Sequence, residues 1–181
     1  MKLLKVILLF HILAVSTANP LAAPNYPGCK LVNVALRGKA TQSATYTTYE
    51  GRSQADAAID GNRDSNRLHG SCFHTAGMPN PWWRVDLLQT YSIVSVTITN
   101  RGDCCGERIK GAQIRIGNSL GNNGITNPLC SEIHSLGQGA TQTFHCSKKM
   151  KGRYVTVHIP RKEYLHLCEV EVNALVPDND N

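Results

Sequence analysis

The residues best suited to chemistry lie in one short segment, Arg101-Gly102-Asp103, which is followed at once by Cys104 and Cys105. The three letters match the tripeptide that integrins bind, so display for cell adhesion is one interpretation and use of both charges inside the fold is the other. Adjacent cysteines usually pair with different partners, but they can also bond to each other. The resulting ring exposes a rigid, polarizable sulfur surface beside Arg101 and Arg108, which suits the apolar face of a sugar.

A second candidate is the segment 60–66, in which an oxygen-bearing side chain stands at every second position. This spacing resembles the start of an EF-hand calcium loop. The pattern then departs from it, since Ser65 stands where glycine is needed and Ser71 where a bidentate glutamate is needed. A calcium site built partly from backbone carbonyls and a plain turn without metal are therefore both open at this stage.

The sequence lacks the common hydrolase, metalloprotease and nucleotide-binding signatures, among them G-x-S-x-G, H-E-x-x-H and the P-loop. We therefore expect a protein that is not an enzyme. A glycosidase remains an alternative, because paired carboxylates have no fixed spacing in sequence. The dense basic run at 148–153 has no interleaved aromatic side chains, so it indicates a solvated turn before a strand and no nucleic-acid partner.

The elements that must position these residues are short strands. Five segments are rich in β-branched residues, and several alternate apolar with polar side chains: 83–87, 93–99, 112–116, 154–159 and 167–174. Residues 53–59 predict a short helical turn, and no convincing long amphipathic helix is present. Strands joined by polar loops predict an all-β fold, either a β-sandwich or a jelly roll.

The N-terminus has the composition of a secretory signal peptide, with two lysines, an apolar run and then small residues. Cleavage after Ala18 fits the small-x-small rule. We expect a signal peptide at 1–18, an N-terminal leader at 19–32, one domain at 33–175 and a frayed tail at 176–181. The apolar run is too short to span a bilayer, so the sequence predicts a secreted, extracellular protein without membrane insertion.

Seven cysteines in a chain bound for an oxidising compartment predict disulfides. No two have C-x-x-C spacing, so zinc ribbons and thioredoxin-like redox motifs lack their basic unit. Because the number is odd, one cysteine must stay free or pair with another chain. Cys29 is the candidate, since it follows a segment with proline and glycine ahead of the first strand-like run.

The chemistry-bearing segment resembles the F-type lectin family. His74 is followed by 26 residues, Arg101-x-Asp103, four residues and Arg108, which matches the family signature without a gap. The resemblance covers about 33–175. It implies an antiparallel jelly-roll β-sandwich of the discoidin-like kind. It also implies a calcium-dependent lectin that binds terminal α-L-fucose on glycans, in innate immune recognition of microbes.

Carried over residue by residue, the resemblance implies that His74, Arg101 and Arg108 bind fucose while the Cys104–Cys105 ring packs against the sugar. Two planar guanidiniums offer fixed donors. The imidazole can donate a hydrogen bond to the axial hydroxyl or accept one from it.

The resemblance also implies bound Ca²⁺, held by carbonyl and side-chain oxygens. The matching positions are Ala57, Asp60, Asn62, Ser71, Cys168 and Glu169. Ala57, Ser71 and Cys168 act there through their carbonyls, and Asp60 and Glu169 supply the charge.

The disulfide pairing and the assembly follow from the same resemblance. It pairs Cys72 with Cys168 and Cys130 with Cys146, beside the bond between the adjacent cysteines. Cys29 is then left as a free thiol or an intermolecular bridge. The family also implies a homo-oligomer, with a trimer favoured.

Overall fold

The computed structural model describes residues 26–47 and 54–178. The predicted signal peptide at 1–18 lies outside these residues, as do the first part of the leader and the end of the tail. The described part contains strands and short 3₁₀ helices, and no α-helix occurs in it. None of its helices is long and apolar enough to cross a membrane.

Eleven strands are present, several of them only two residues long. In chain order they are β1 (Cys29–Asn33), β2 (Lys39–Gln42), β3 (Phe73–His74), β4 (Met78–Pro79), β5 (Trp82–Thr99), β6 (Ala112–Gly117), β7 (Leu129–Ile133), β8 (Thr141–His158), β9 (Lys162–Glu163), β10 (His166–Leu167) and β11 (Glu169–Pro177). The 3₁₀ helices are Ala35–Arg37, Ala55–Ala58, Arg67–His69, Gly106–Ile109 and Gly121–Gly124.

All strand pairs are antiparallel. The main sheet has the order β1-β11-β5-β8-β6-β7, with β2 also paired to β5, and β10-β3 and β4-β9 form separate two-stranded ladders. The long strands β5 and β8 bend together, since their register shifts between Asp86 and Tyr91, and Leu88 there has a left-handed backbone with φ 68°. The first half of β5 pairs with β2 and the second with β11, so the sheet folds into the two layers of a sandwich.

Alternation along the strands fills the space between the layers. Trp83 and Val85 on β5 and Val157 on β8 are fully buried. Trp83 stacks on Phe73 with ring centroids 5.7 Å apart, and its indole N–H donates to the carbonyl of Ala55 at 2.9 Å. The prediction of an all-β jelly-roll sandwich is confirmed. The predicted helical turn at 53–59 corresponds to the 3₁₀ helix Ala55–Ala58.

The element boundaries differ in detail from the sequence-based ones. Two predicted strands, 83–87 and 93–99, are the halves of one bent strand, β5. The segment 167–174 is divided at Cys168 between β10 and β11. β1 begins at Cys29, inside the segment expected to be a leader, and pairs with β11 along its whole length. The basic run at 148–153 lies inside β8, beside the bend, with Lys148, Lys149 and Lys151 exposed.

Both ends of β5 lead to one end of the sandwich. Thr99 precedes the Arg101 loop, while β4, just before Trp82, pairs with β9 and so lies beside Glu163. Glu163 in turn contacts Arg108, with Nε and Oε1 3.7 Å apart. The bend of β5 and β8 is therefore at the opposite end, and the loops gathered at the first end surround the cavity described next.

Candidate functional site

A cavity of about 350 Å³ opens among these loops. Its walls are formed by eight residues: Tyr46, Arg67, His74, Arg101, Cys104, Cys105, Arg108 and Tyr164. The five residues predicted as fucose ligands are all among them. His74 comes from the end of β3, Arg101 from the loop after β5, and Arg108 from the 3₁₀ helix Gly106–Ile109. Tyr46, Arg67 and Tyr164 were not predicted as site residues.

His74 is an acceptor in this cavity. Its side chain is 3% exposed, and Nδ1 lies 2.7 Å from the carbonyl oxygen of Thr75. A carbonyl only accepts, so Nδ1 carries the proton and Nε2 keeps its lone pair. Burial lowers the pKa of His74 to about 4, and the nearby charges of Arg101, Arg67 and Arg108 act in the same direction. The ring is therefore neutral at physiological pH, with Nε2 available to a ligand hydroxyl.

Arg101 is held in place by Asp103. Nε donates to Oδ1 at 2.9 Å and an Nη donates to Oδ2 at 2.6 Å, a two-pronged contact that fixes the guanidinium plane. Asp103 Oδ1 also accepts the backbone N–H of Arg67 at 2.9 Å. These contacts hold the pKa of Asp103 down at about 2, chiefly through the hydrogen bond from Arg101. The two charges of the tripeptide thus bind each other, with 9% of the Arg101 side chain and 19% of the Asp103 side chain exposed, which disfavours the adhesion interpretation.

Arg108 is less enclosed than Arg101. Its side chain is 28% exposed, and its nearest carboxylate is Glu163, with Nε and Oε1 3.7 Å apart. The guanidinium carbon lies 4.9 Å from the centre of the Tyr164 ring, within cation–π distance. The aromatic ring and the carboxylate together orient Arg108 towards the cavity while leaving it planar donors for a ligand.

Cys104 and Cys105 bond to each other and both line the cavity. Cys105 has a left-handed backbone with φ 60° and stands just before the 3₁₀ helix that carries Arg108. Gly106 follows it against Gln138, and a Cβ on Gly106 would lie 2.7 Å from Gln138 Cα. A larger residue there would push the 3₁₀ helix away, so the disulfide and Gly106 together set the position of Arg108.

Two tyrosines complete the wall beside His74. The Tyr46 ring lies 4.7 Å from the imidazole and the Tyr164 ring 5.6 Å from it, measured between centroids. Backbone hydrogen bonds of the neighbouring residues place the two tyrosines beside His74. The Tyr46 N–H donates to the His74 carbonyl at 2.9 Å, and the Thr75 N–H donates to the carbonyl of Leu165 at 2.8 Å. The sequence carries no local signal for either contact.

The predicted calcium loop is a series of Asx turns. Asp60 Oδ1 accepts the N–H of Asn62 at 2.8 Å, Asn62 Oδ1 accepts that of Asp64 at 3.0 Å, and Asp64 Oδ1 accepts that of Asn66 at 2.9 Å. The alternating oxygen-bearing residues therefore shape their own loop. The loop also touches the cavity loop, because the N–H of Gly102 donates to a carbonyl of this segment, that of Ser65, at 2.7 Å.

Glu169 provides the test of whether a cation fits. Its side chain is 1% exposed, Oε1 accepts the N–H of Gly61 at 3.2 Å, and Oε2 is buried with no hydrogen-bond partner among the described residues. Burial and, next, the negative charge of Asp60 raise the pKa of Glu169 to about 8. A buried carboxylate oxygen that lacks a donor and faces a second carboxylate is the arrangement that a bound cation stabilises. The residues present fit calcium.

The other predicted ligands are placed less directly. Ala57 lies in the 3₁₀ helix that precedes Asp60, and Ser71 donates its hydroxyl to the carbonyl of Asp64. Cys168 is tied to the same loop through its disulfide to Cys72. Within the described residues no group of three or more His, Cys, Asp or Glu side chains could hold a metal, so a calcium site here would need backbone oxygens among its ligands.

Three disulfides are formed, Cys72–Cys168, Cys104–Cys105 and Cys130–Cys146, the pairs that the resemblance implied. Cys72–Cys168 joins the residue before β3 to the residue between β10 and β11, and Cys130–Cys146 joins β7 to β8. Cys29, at the start of the edge strand β1, is a free thiol in the described chain.

Known proteins resemble this chain over most of its length. The family of NedA-like, galactose-binding domains matches residues 57–157. Fucolectin-4 of the eel Anguilla japonica is 62% identical over 180 residues, covering 99% of this chain and 100% of its own.

Solved structures agree. A fucolectin from striped bass (Morone saxatilis) serum superimposes with a TM-score of 0.77 at 52% identity, over 80% of this chain and 49% of the bass chain. A Streptococcus pneumoniae fucose binding module superimposes with a TM-score of 0.64 at 30% identity, over 78% of this chain and 96% of that module.

Proposed function

Because this chain belongs to the fucolectin family, whose members are lectins and not enzymes, we propose that it binds terminal α-L-fucose on glycans in the cavity around His74. The observation that carries the proposal is the division of hydrogen-bonding roles in that cavity. His74 Nε2 is an acceptor and the guanidiniums of Arg101 and Arg108 are donors. A hydroxyl that donates to His74 can therefore accept from an arginine at the same time.

The rest of the wall suits the apolar parts of the sugar. The Cys104–Cys105 ring presents sulfur and methylene atoms, and the rings of Tyr46 and Tyr164 stand beside His74. Sugar rings have one face of C–H groups, and fucose adds a methyl group. Both gain from contact with such surfaces, while the hydroxyls face the polar side chains.

Calcium would be held under this cavity by Asp60 and Glu169, together with oxygens of Ala57, Asn62, Ser71 and Cys168. Its charge would pair with the buried carboxylate of Glu169 and stabilise the loop that contacts Gly102. Calcium in this role is structural. It supports the position of the cavity loops and takes no part in the contacts to the sugar that we assign to protein side chains.

We place the protein outside the cell. Three disulfides are typical of oxidising compartments, and residues 1–18 have the composition of a signal peptide. The expected mature N-terminus is Asn19 or a residue near it. N-terminal sequencing of the protein from culture medium tests this. Protein that keeps Met1 and stays inside the cell would contradict it.

Binding to cell surfaces requires several sites. A monosaccharide offers few atoms, so the affinity of one cavity is weak and useful avidity needs an oligomer. We propose a homotrimer that cross-links fucose-bearing microbial surfaces, with Cys29 able to link subunits further. Sedimentation at concentrations that agglutinate cells tests this, and a strict monomer would contradict it.

A glycan array tests the function itself. We expect binding to glycans with terminal α-L-fucose and its loss when free L-fucose is added. Binding that L-fucose leaves unchanged but an Arg-Gly-Asp peptide blocks would assign the protein to adhesion. Release of sugar from the bound glycans would assign it to the glycosidases.

A further inference from the structure

A second, larger cavity of about 550 Å³ lies on the outer face of the sheet. Its floor follows from the strand register. Trp82 on β5 pairs with His158 on β8, and His158 pairs with Gln113 on β6, so the three side chains stand side by side on one face. The neighbouring residues Trp83 and Val157 point the other way and are fully buried in the core.

His158 brings a neutral imidazole ring to this floor. It is 4% exposed, and Nε2 lies 3.1 Å from Gln113 Oε1, an oxygen that also accepts from Arg115 at 2.7 Å. Nε2 therefore carries the proton. Nδ1 keeps a lone pair and has no hydrogen-bond partner in the part of the chain that the structure describes. Burial lowers the pKa of His158 to about 4, so the ring stays neutral. Because Nδ1 is itself buried, the ring forms part of the cavity floor and Nδ1 is not a contact for a ligand.

The wall opposite is a loop with an unusual backbone. Asn122 and Asn123 both have left-handed conformations, with φ 47° and φ 57°. The loop is fastened to β8 because the Thr156 hydroxyl donates to the Asn123 carbonyl at 3.3 Å. Gly124 packs against the same hydroxyl, since a Cβ there would lie 2.5 Å from it. Two strained asparagines that the surrounding structure holds in place present their amides at the cavity rim.

The residues that line this cavity suit a neutral ligand with several hydroxyl groups. The lining combines one indole with four amides, a neutral imidazole and four apolar side chains, and no carboxylate is among the described residues that form it. The one guanidinium, that of Arg115, is occupied by Gln113 and by the carbonyl of Asn127. An aromatic face beside neutral donors and acceptors suits a sugar ring better than an anion, a cation or an apolar chain.

We propose that this cavity is a second carbohydrate site, which takes a neutral, non-fucose sugar residue with its C–H face on Trp82 and its hydroxyls on the amides of Asn122 and Asn123. The site is separate from the first one. The β4–β9 ribbon stands between them, because Met78 and Pro79 line this cavity while Glu163, paired with Met78, contacts Arg108. The proposal does not depend on fucose binding in the first cavity.

Trp82 allows a direct test, because the chain has two tryptophans and the other, Trp83, is fully buried with its indole N–H bonded to Ala55. A Trp82→Phe variant assigns the two indole signals in a ¹H–¹⁵N spectrum. The labelled protein is then titrated with galactose, N-acetylglucosamine and N-acetyllactosamine, with L-fucose present in excess throughout to occupy the first cavity. We expect at least one of the three sugars to move the Trp82 signal saturably and to leave the Trp83 signal in place.

Two variants of the loop 120–124 test the site without unfolding the protein. The double variant Asn122→Gly with Asn123→Gly removes both side-chain amides, and glycine suits the left-handed backbone, so the fold is retained. We expect its affinity for the sugar that moves the Trp82 signal to fall by about threefold or more. Leu120→Ala, in the same loop but outside the cavity, should leave the affinity for that sugar unchanged. The proposal is overturned if none of the sugars moves the Trp82 signal at millimolar concentrations, or if the glycine variant binds as tightly as the wild type.

Discussion

His74 lies against His166 where β3 pairs with β10, and the centroids of the two imidazole rings are 5.1 Å apart. Both side chains are almost fully buried. Burial lowers the pKa of His74 to about 4 and that of His166 to about 3, and the positive charge of Arg101 opposes protonation of either ring. The imidazole that lines the first cavity is thus backed by a second neutral imidazole, and the protonation of both rings depends on pH.

The first prediction is a loss of stability in mild acid. A histidine in the unfolded chain titrates near 6.5, so between about pH 6.5 and pH 3 the unfolded state binds more protons than the folded state. The contribution of these two histidines to the free energy of unfolding is complete above about pH 6.5 and declines as the pH falls. Each buried histidine contributes at most about 1.4 kcal/mol per pH unit to the slope of the unfolding free energy against pH. Denaturant unfolding at a series of pH values, with calcium in excess, measures this slope.

Substitutions identify the source of the slope. His166→Gln should flatten the curve between pH 6.5 and pH 4, while the 84%-exposed His134, changed to Gln, should leave it unaltered. A slope that is the same in wild type and His166→Gln would show that the buried imidazoles do not control acid stability.

The second prediction concerns the two cavity arginines. Arg101→Lys and Arg108→Lys keep the charge but lose the planar, forked donors. Hydrogen bonds to charged groups contribute roughly 1.5–3 kcal/mol, so each change should weaken L-fucose binding about tenfold or more. Calorimetric titration measures the affinity.

Two controls accompany these variants. Arg153→Lys removes a comparable two-pronged contact, to Asp86, outside the cavity, and should leave fucose affinity unchanged. Arg108→Lys separates the two functions, since it should weaken fucose binding, whereas integrin recognition would be indifferent to it and would be abolished by Asp103→Glu. Fucose affinity that survives both Arg108→Lys and Arg108→Ala would remove Arg108 from the site.

The third prediction is that calcium stabilises the fold. An ion that binds the folded loops and not the unfolded chain raises the melting temperature by mass action. Adding a chelator should therefore lower it, and adding calcium back should restore it. Differential scanning calorimetry with and without chelator measures the shift.

Variants of the two carboxylates localise this effect. Asp60→Ala and Glu169→Gln should each reduce the calcium-dependent shift, and Asp60→Ala should also weaken fucose binding through the loop that holds Gly102. Glu171→Gln, whose partner is Arg63, should keep the full shift. An identical melting temperature with and without chelator in the wild type would count against a calcium site.

The fourth prediction separates two disulfides by their effects. Cys104–Cys105 joins neighbouring residues and closes almost no loop, so its removal should scarcely lower the melting temperature but should weaken fucose binding. Cys130–Cys146 spans 16 residues, and its removal should cost about 3 kcal/mol of stability while leaving the affinity unchanged. Paired Cys→Ser variants test both. The reverse pattern would mean that the adjacent pair serves the fold and not the sugar.

Two kinds of residue in this site were predictable from sequence: those whose spacing is local, and His74, which the family signature places 26 residues ahead of Arg101. Arg101, Asp103 and Arg108 belong to one turn and one 3₁₀ helix, so their types and intervals carry the signal. Tyr46 and Tyr164 were missed because they reach His74 through backbone bonds between distant segments. No periodicity within either segment records those bonds.

The same distinction holds for the fold. Strand β6 was predicted almost to the residue because Ile114 and Ile116 alternate with polar neighbours. Strand β2, with the sequence Lys-Ala-Thr-Gln, and the first half of β8 were missed because both present mostly exposed polar side chains. Their strand conformation is imposed by pairing with β5, which is a property of the assembled sheet.

A crystal structure of the protein with L-fucose and calcium tests the central claim most directly. We predict the sugar in the first cavity, with one hydroxyl donating to His74 Nε2, the guanidiniums of Arg101 and Arg108 donating to its oxygens, and its apolar face on the Cys104–Cys105 ring. Fucose bound elsewhere on the protein, or bound in this cavity without contact to either arginine, would contradict the account.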